Sequence, residues 1–102
     1  MSTLPIEIEV PGAVSVAINE DTLSIELADG RALAVPLAWF PRLLHATSAE
    51  RNDWRLIGRG EGIHWPALDE DISVEGLLAG RGSRESQQSL QLWLGKRGTR
   101  GA

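Results

Sequence analysis

Apolar and polar residues alternate with a period of two through most of the first third of the chain, which is the mark of half-buried strands. Ile6, Ile8 and Val10 face one way and Glu7 and Glu9 the other. Pro5 and Pro11 bracket this run, so Ile6–Val10 is expected as a short strand at a sheet border, where a missing N–H does no harm. Val14, Val16 and Ile18 repeat the alternation, Asn19 to Asp21 breaks it, and Leu23, Ile25 and Leu27 resume it. Asp29-Gly30 is a dipeptide suited to a tight hairpin, and Leu33 and Val35 supply a further strand. The pattern predicts a three-stranded antiparallel meander with one apolar face.

That face needs cover, and the period changes where cover is due. Pro36 to Ala46 contains Trp39, Phe40, Leu43 and Leu44 as an apolar patch, with Pro41 suited to a first helical turn and Thr47 or Ser48 able to cap a second through Ala49, Glu50 and Arg51. A short, interrupted helical segment is expected. From Asn52 the chain turns extended, with Trp54 and Leu56 on one face and Arg55 and Ile57 on the other, until Gly58, Gly60 and Gly62 make a turn. Ile63 and Trp65 then alternate around His64 as a strand that Pro66 ends. Asp69, Glu70 and Asp71 are expected just ahead of a helix capped by Ser73, with Val74, Leu77 and Leu78 on its buried face and Gly80 as its left-handed stop. After Gly80 the composition shifts to Arg, Gly, Ser and Gln. Gly82 and Ser83 read as a linker, and Leu90, Trp93 and Leu94 predict a short amphipathic helix over 84–94 that Gly95 ends, leaving the last eight residues disordered.

The fold class this implies is α+β: a small antiparallel sheet, the meander plus further strands, packed against two or three short helices. The chain of 102 residues, 42% hydrophobic, is enough for one core. Residues 1–80 form a single domain and 81–102 a basic tail. No cysteine is present, so no disulfide or thiolate metal site supports the fold. No apolar run nears the roughly 20 residues of a membrane span, and a cytoplasmic location is expected. The net charge of -4 divides unevenly, with 13 acids against 5 arginines in residues 1–80 and 5 basic residues against Glu85 alone in 81–102. An acidic body argues against broad nucleic-acid binding, and the basic tail is short.

Candidate chemistry is sparse. Asp69, Glu70 and Asp71 with His64 offer hard ligands for a divalent ion, but consecutive acids on a strand point to opposite faces, and helix-terminus acids beside a solvated histidine explain them as well. His45 and His64 lack an evident cleft or orienting partner for acid–base work, and Ser48 and Ser73 are accounted for as caps. Gly58-x-Gly60-x-Gly62 contains Glu61 and runs into a strand, not into the lysine and helix of a phosphate loop. Trp39, Trp54 and Trp65 could line a binding platform, yet a domain with one phenylalanine and no tyrosine needs its large rings for burial. Arg42, Arg51, Arg55 and Arg59 are expected to pair with Asp53, Glu50, Glu61 or the acidic triplet rather than to bind anions. No catalytic, cofactor or metal residues are assigned, and no enzyme activity is expected.

Certain runs carry a family likeness. Asp29-Gly30-Arg31, the stretch VPLAWFPRLLHAT at Val35 to Thr47, and NDWRLIGRGEGIHWPALDEDISVEGLLAG at Asn52 to Gly80 resemble the bacterial domain of unknown function 2442 over about residues 12–80. The resemblance implies a small α+β domain, found alone or beside a helix-turn-helix segment and often encoded next to a protein of the domain of unknown function 4160 class, in pairs that look like toxin–antitoxin modules. It implies no catalytic residues. Arg81 to Ala102 lies outside the shared region and is too short for a full helix-turn-helix.

The expected function is therefore a noncatalytic interaction or regulatory module, the antitoxin-like partner of a small protein encoded next door, with a homodimer as another assembly and no membrane partner. A nucleic-acid-binding regulator using the basic tail is the alternative. Trp39, Trp65, Asp69, Asp71 and Trp93 are the expected partner surface, since tryptophan is enriched at binding hot spots. Ile6–Val10 could accept an added strand, and Leu90 to Leu94 could lay its apolar side in a partner's groove.

Overall fold

The alternation between Val14 and Val35 does build a meander. In the computed structural model, which describes residues 10–101 with side chains through Arg97, β1 (Ala13–Ile18), β2 (Thr22–Leu27) and β3 (Ala32–Pro36) form an antiparallel sheet in that order. The expected strand Ile6–Val10 lies outside the described residues except for Val10. Asn19 Oδ1 accepts from the backbone N–H groups of Asp21 and Thr22, which closes the first hairpin. Gly30, at φ 94°, makes the left-handed step in the second.

One strand departs from its pattern. The register shifts between Ala13 and Ser15, a bulge that turns Val14 outward to 57% exposure and buries Ala13 in its place. Val14, Val16 and Ile18 therefore do not share a face. Leu23, Ile25, Leu27 and Val35 keep theirs and are buried.

The remaining strands form a second sheet rather than extending the first. β4 (Arg55–Ile57), β5 (Gly62–Trp65) and β6 (Glu70–Ser73) pair antiparallel in chain order. Between the sheets the helical segment is broken as its prolines and polar residues suggest: a 3-10 turn at Leu37–Trp39, then α1 (Pro41–Leu44) with Pro41 in its first turn, then α2 (Ser48–Asn52). Thr47 caps α2 reciprocally, its hydroxyl accepting from the Glu50 N–H while the Glu50 carboxylate accepts from the Thr47 N–H. Phe40 and Leu43 are buried, but Trp39 and Leu44 are exposed, because a single helical turn cannot bury four large side chains on one side.

α3 (Val74–Leu78) has Ser73 as its N-cap, with Ser73 Oγ accepting from the Gly76 N–H at 2.9 Å. It stops at Gly80, φ 75°, where the Arg81 N–H reaches back to the Gly76 carbonyl. Val74 and Leu77 are buried and Leu78 is not, so the apolar face is one residue narrower than its spacing suggested.

The tail differs most. α4 spans Gln87–Gly101, starting later than 84 and continuing through Gly95, so the expected stop does not hold; Ala102, the last of the eight residues expected to be disordered, lies outside the described residues. Glycine in a helix interior costs only about 1 kcal/mol relative to alanine, which neighbouring contacts can offset. Here those contacts are Leu90, 8% exposed, and Trp93, which packs against the core. Leu90 and Trp93 of α4 are thus used within their own chain, while Leu92 is 64% exposed.

One core serves both sheets. Leu23 and Ile25 from the first, Ile63, Trp65 and Ile72 from the second, and Leu37, Leu43, Leu68 and Val74 from between them are all buried together.

Candidate functional site

The acidic triplet is the place where the sequence expectation and the structure part most usefully. Pro66–Leu68 forms a 3-10 turn, Asp69 takes a left-handed conformation at φ 50°, and Glu70 and Asp71 then belong to β6 rather than to the start of a helix. Strand geometry sends alternate side chains to opposite faces. Glu70 pairs with Trp65 and Ile72 with Ile63, on the core side, while Asp71 pairs with His64 on the outer side. Glu70 is a carboxylic acid at an apolar position of the strand.

Its surroundings are short of partners. Glu70 Oε2 is buried with no hydrogen bond, and burial pushes the carboxyl up to about 7 despite the nearby Arg42 guanidinium. Arg42, from α1, is occupied elsewhere. Its Nε and Nη2 donate to the Glu85 carboxylate at 2.6 to 3.0 Å and its Nη1 donates to the Leu68 carbonyl at 2.8 Å. The hydroxyl of Ser89 also donates to Glu85, at 2.7 Å. These bonds hold the Glu85 carboxyl below its ordinary value and raise Arg42. Around them lies a cleft of ≈ 440 Å³ between β6, α3 and the segment that leads into α4.

A second clamp holds the far part of α4. Arg97 Nη1 and Nη2 donate to Glu50 at 2.9 and 2.7 Å. Trp93 lies between the two clamps, its ring centroid 5.1 Å from the Arg42 guanidinium and 4.6 Å from that of Arg97. Arg97 lowers the Glu50 carboxyl from 4.5 to about 2. A depressed carboxylate stabilises the fold above its unfolded value and loses that contribution as pH falls through its folded value. Urea midpoints should therefore drop between pH 4.5 and 2, and Glu50→Gln should remove about 1–2 kcal/mol of that acid-dependent loss. A mutant that keeps the full acid slope would show that this pair does not hold α4.

The outer face of the second sheet carries a row set by register: Arg55, His64 and Asp71 lie side by side across β4, β5 and β6. His64 Nδ1 and Asp71 Oδ1 are 2.5 Å apart, on an open face rather than in a cavity. His45 is exposed at the end of α1, its carbonyl accepting from Arg97. Among the described residues no group of three or more His, Cys, Asp or Glu is placed to hold a metal ion.

The expected partner surface is split by the structure. Trp39, 38% exposed, and Asp69 and Asp71 remain on the surface. Trp65 does not: it is 0% exposed, and its indole N–H donates to the Arg51 carbonyl at 3.0 Å. Its ring lies on the core side of β5, packed in the cluster with Ile63, Leu68 and Ile72. Trp93 is taken up between two guanidinium groups, and Trp54 packs against the core. Of the arginines, Arg51 donates to the Leu43 and Leu44 carbonyls at the end of α1, and Arg42 bonds Glu85 rather than the side chains of the triplet. Glu70, Glu85 and Arg42 escaped the sequence reading as a cluster. Reading DEDIS as a strand would have put Glu70 in phase with Ile72, which is the signal that finds it.

A family model described as a protein of unknown function, DUF2442, matches residues 13–83. The chain belongs to that family. The DUF2442 match begins at β1 and ends in the linker after Gly80, so α4 lies beyond it. Two solved structures are similar. One is the crystal structure of a protein of unknown function from Rhodospirillum rubrum, 26% identical, with a TM-score of 0.67 over 78% of this chain and 98% of that one. The other is the solution NMR structure of an uncharacterized protein from Chromobacterium violaceum, also 26% identical, with a TM-score of 0.60 over 84% of this chain and 75% of that one. No curated protein matches the chain. No described helix is long and apolar enough to cross a membrane.

Proposed function

We propose that this DUF2442 chain is a noncatalytic interaction module, the antitoxin-like or regulatory member of a pair whose other member is a small protein encoded beside it. The observation that carries the reading is the edge strand β4. All three of its residues are exposed, including Leu56 at 37% and Ile57 at 45%, and it borders a sheet whose outer face is uncovered among the described residues. The edge of a sheet presents unpaired backbone groups that can template pairing with another chain. The charges near it support the same reading. Arg55, His64 and Asp71 lie across the neighbouring face, where they would fix the register of an incoming strand.

Two ion pairs hold α4 to the body, Arg42 with Glu85 in the cleft and Arg97 with Glu50 beyond it. That use of Arg97 also takes charge away from the basic tail that a nucleic-acid reading requires.

The test is co-expression with the protein of the adjacent reading frame, followed by size-exclusion chromatography with light scattering. A stable complex is expected, and the double substitution Leu56→Lys, Ile57→Lys should weaken it about 30-fold while leaving the thermal midpoint nearly unchanged. Retention on DNA at low salt with no protein complex would favour the regulator reading instead, and a complex indifferent to the β4 substitutions would remove this edge from the account.

A further inference from the structure

Glu70 is a side chain whose placement the fold alone leaves unexplained. Among the described residues, its Oε2 is the buried side-chain polar atom without a hydrogen bond. An apolar residue would fill the same position on the inner side of β6 at no electrostatic cost. What stands next to it is the clamp between the body and the tail. Arg42 from α1 holds Glu85, and Glu85 in turn is tied to Ser89 in the first turn of α4.

We infer that Glu70 is a proton-operated latch on α4: protonated, it leaves Arg42 to Glu85 and the helix stays docked, and ionised, it competes for Arg42 and lets the helix loosen. Two carboxylates then face a single guanidinium. Arg42 Nε and Nη2 already serve Glu85, and Nη1 serves the Leu68 carbonyl, so an ionised Glu70 engages Arg42 by drawing it from one of them. The competitor it displaces is the link that fastens the tail.

The other charged groups around the cleft do not remove the conflict. Asp69 and Asp71 flank Glu70 along the chain and oppose its ionisation. Arg81 and Arg84 line the same cleft, Arg81 held to α3 through its N–H on the Gly76 carbonyl, and neither side chain bonds Glu70. His64 is engaged with Asp71 on the far face of the sheet.

The sign follows from linkage. Burial holds Glu70 near 7 in the docked arrangement, and undocking, which removes Glu85 and opens the cleft, returns it towards its ordinary value. Docking is therefore favoured when Glu70 is protonated and weakens as pH rises through 7. The Glu50–Arg97 clamp acts in the opposite sense and fails only in strong acid. Docking is thus tightest in mildly acidic solution. Because Glu70 is only half-buried, the expected change in the docked-to-undocked ratio across neutrality is about tenfold. Undocking exposes Leu90 and Trp93, so the latch controls whether an apolar helix face is offered to solvent.

The experiment uses the full chain, followed by proton–nitrogen NMR from about pH 5.5 to 8.5. The Trp93 indole and the amides of residues 87–97 should shift with a midpoint near 7, and the Glu70 side-chain carboxyl carbon should titrate with the same midpoint. Glu70→Gln should abolish the shift of α4. Glu85→Gln should leave α4 loosened at every pH. A Glu70 carboxyl that titrates in the ordinary carboxylate range, or α4 signals that respond identically in the native chain and Glu70→Gln, would overturn the latch. The carboxyl titration needs no substitution, so it decides the matter even where a variant fails to fold.

Discussion

Trp65→Ala is expected to cost about 3–5 kcal/mol, the range for removing a large aromatic side chain from a packed core. Trp65 is fully buried on the central strand of the second sheet, facing the elements that join the two sheets. The loss has two parts. The ring's volume becomes a cavity bounded by backbone that cannot collapse freely, and the Arg51 carbonyl loses the indole N–H that now satisfies it at 3.0 Å. For a domain whose whole stability is on the order of 5–15 kcal/mol, this removes a large share and should lower the thermal midpoint by about 15 °C or more. Trp65→Phe separates the parts, since most of the volume stays while the hydrogen bond goes. Trp39→Ala is the control: with 38% of that residue exposed, its cost should stay near 1 kcal/mol. Equal urea midpoints for Trp65→Ala and Trp39→Ala would show that the ring is not a core element.

Gly60→Ala should be nearly as damaging for a different reason. Gly60 sits at φ 82° in the turn between β4 and β5, and its carbonyl accepts the Ala13 N–H at 2.7 Å, joining the second sheet to the first. A Cβ there would be driven into the backbone carbonyl of Ala13, and a Cβ at Gly12 would meet the Arg59 carbonyl from the other side. Two stretches of backbone approach as closely as glycine permits, and backbone cannot rotate away as a side chain can. Gly30 offers the comparison, with a similar φ of 94° but open space around it. Gly30→Ala therefore incurs only the left-handed conformational cost of about 1–2 kcal/mol, whereas Gly60→Ala adds the clash and should reach about 3 kcal/mol or more. Thermal unfolding of the two variants side by side measures the difference. If they melt together, the junction yields more easily than its geometry implies.

Much of the local structure was legible because it rests on contacts between near neighbours in sequence. The turn at Asn19, the left-handed Gly30, the proline opening α1, the Thr47–Glu50 capping box, the Ser73 cap and the Gly80 stop each involve residues within a few positions of one another. The same holds for Leu23, Ile25 and Leu27, whose strict alternation needs no partner to be recognised. The family resemblance also lay in contiguous runs, and the match over 13–83 agrees with the expected 12–80 to within three residues at either end.

Failures fell where a partner distant in sequence decides. Val14 keeps its apolar phase in the sequence, but a bulge set by pairing with β2 turns it outward. Asp69, Glu70 and Asp71 sit next to a helix cap and suggest a helix start, yet pairing with β5 makes Glu70 and Asp71 part of a strand and sends them to opposite faces. Gly95 is a helix stop by local rules, but docking against the body carries α4 past it. Of the two roles weighed for Trp65, burial and a partner surface, the core took the ring, because its side of β5 packs on residues from other elements.

By itself the chain determined its α+β class, its hairpins, its caps and its family, because each depends on side-chain period or on backbone preferences expressed over a few residues. Tertiary structure alone decided that the six described strands part into two sheets, that the tail helix lies against the body, and that Glu70, Arg42 and Glu85 share one cleft. The reason is one of distance along the chain. Arg42 and Glu85 are 43 residues apart, and no periodicity records which charge will be left without a partner once another has claimed it.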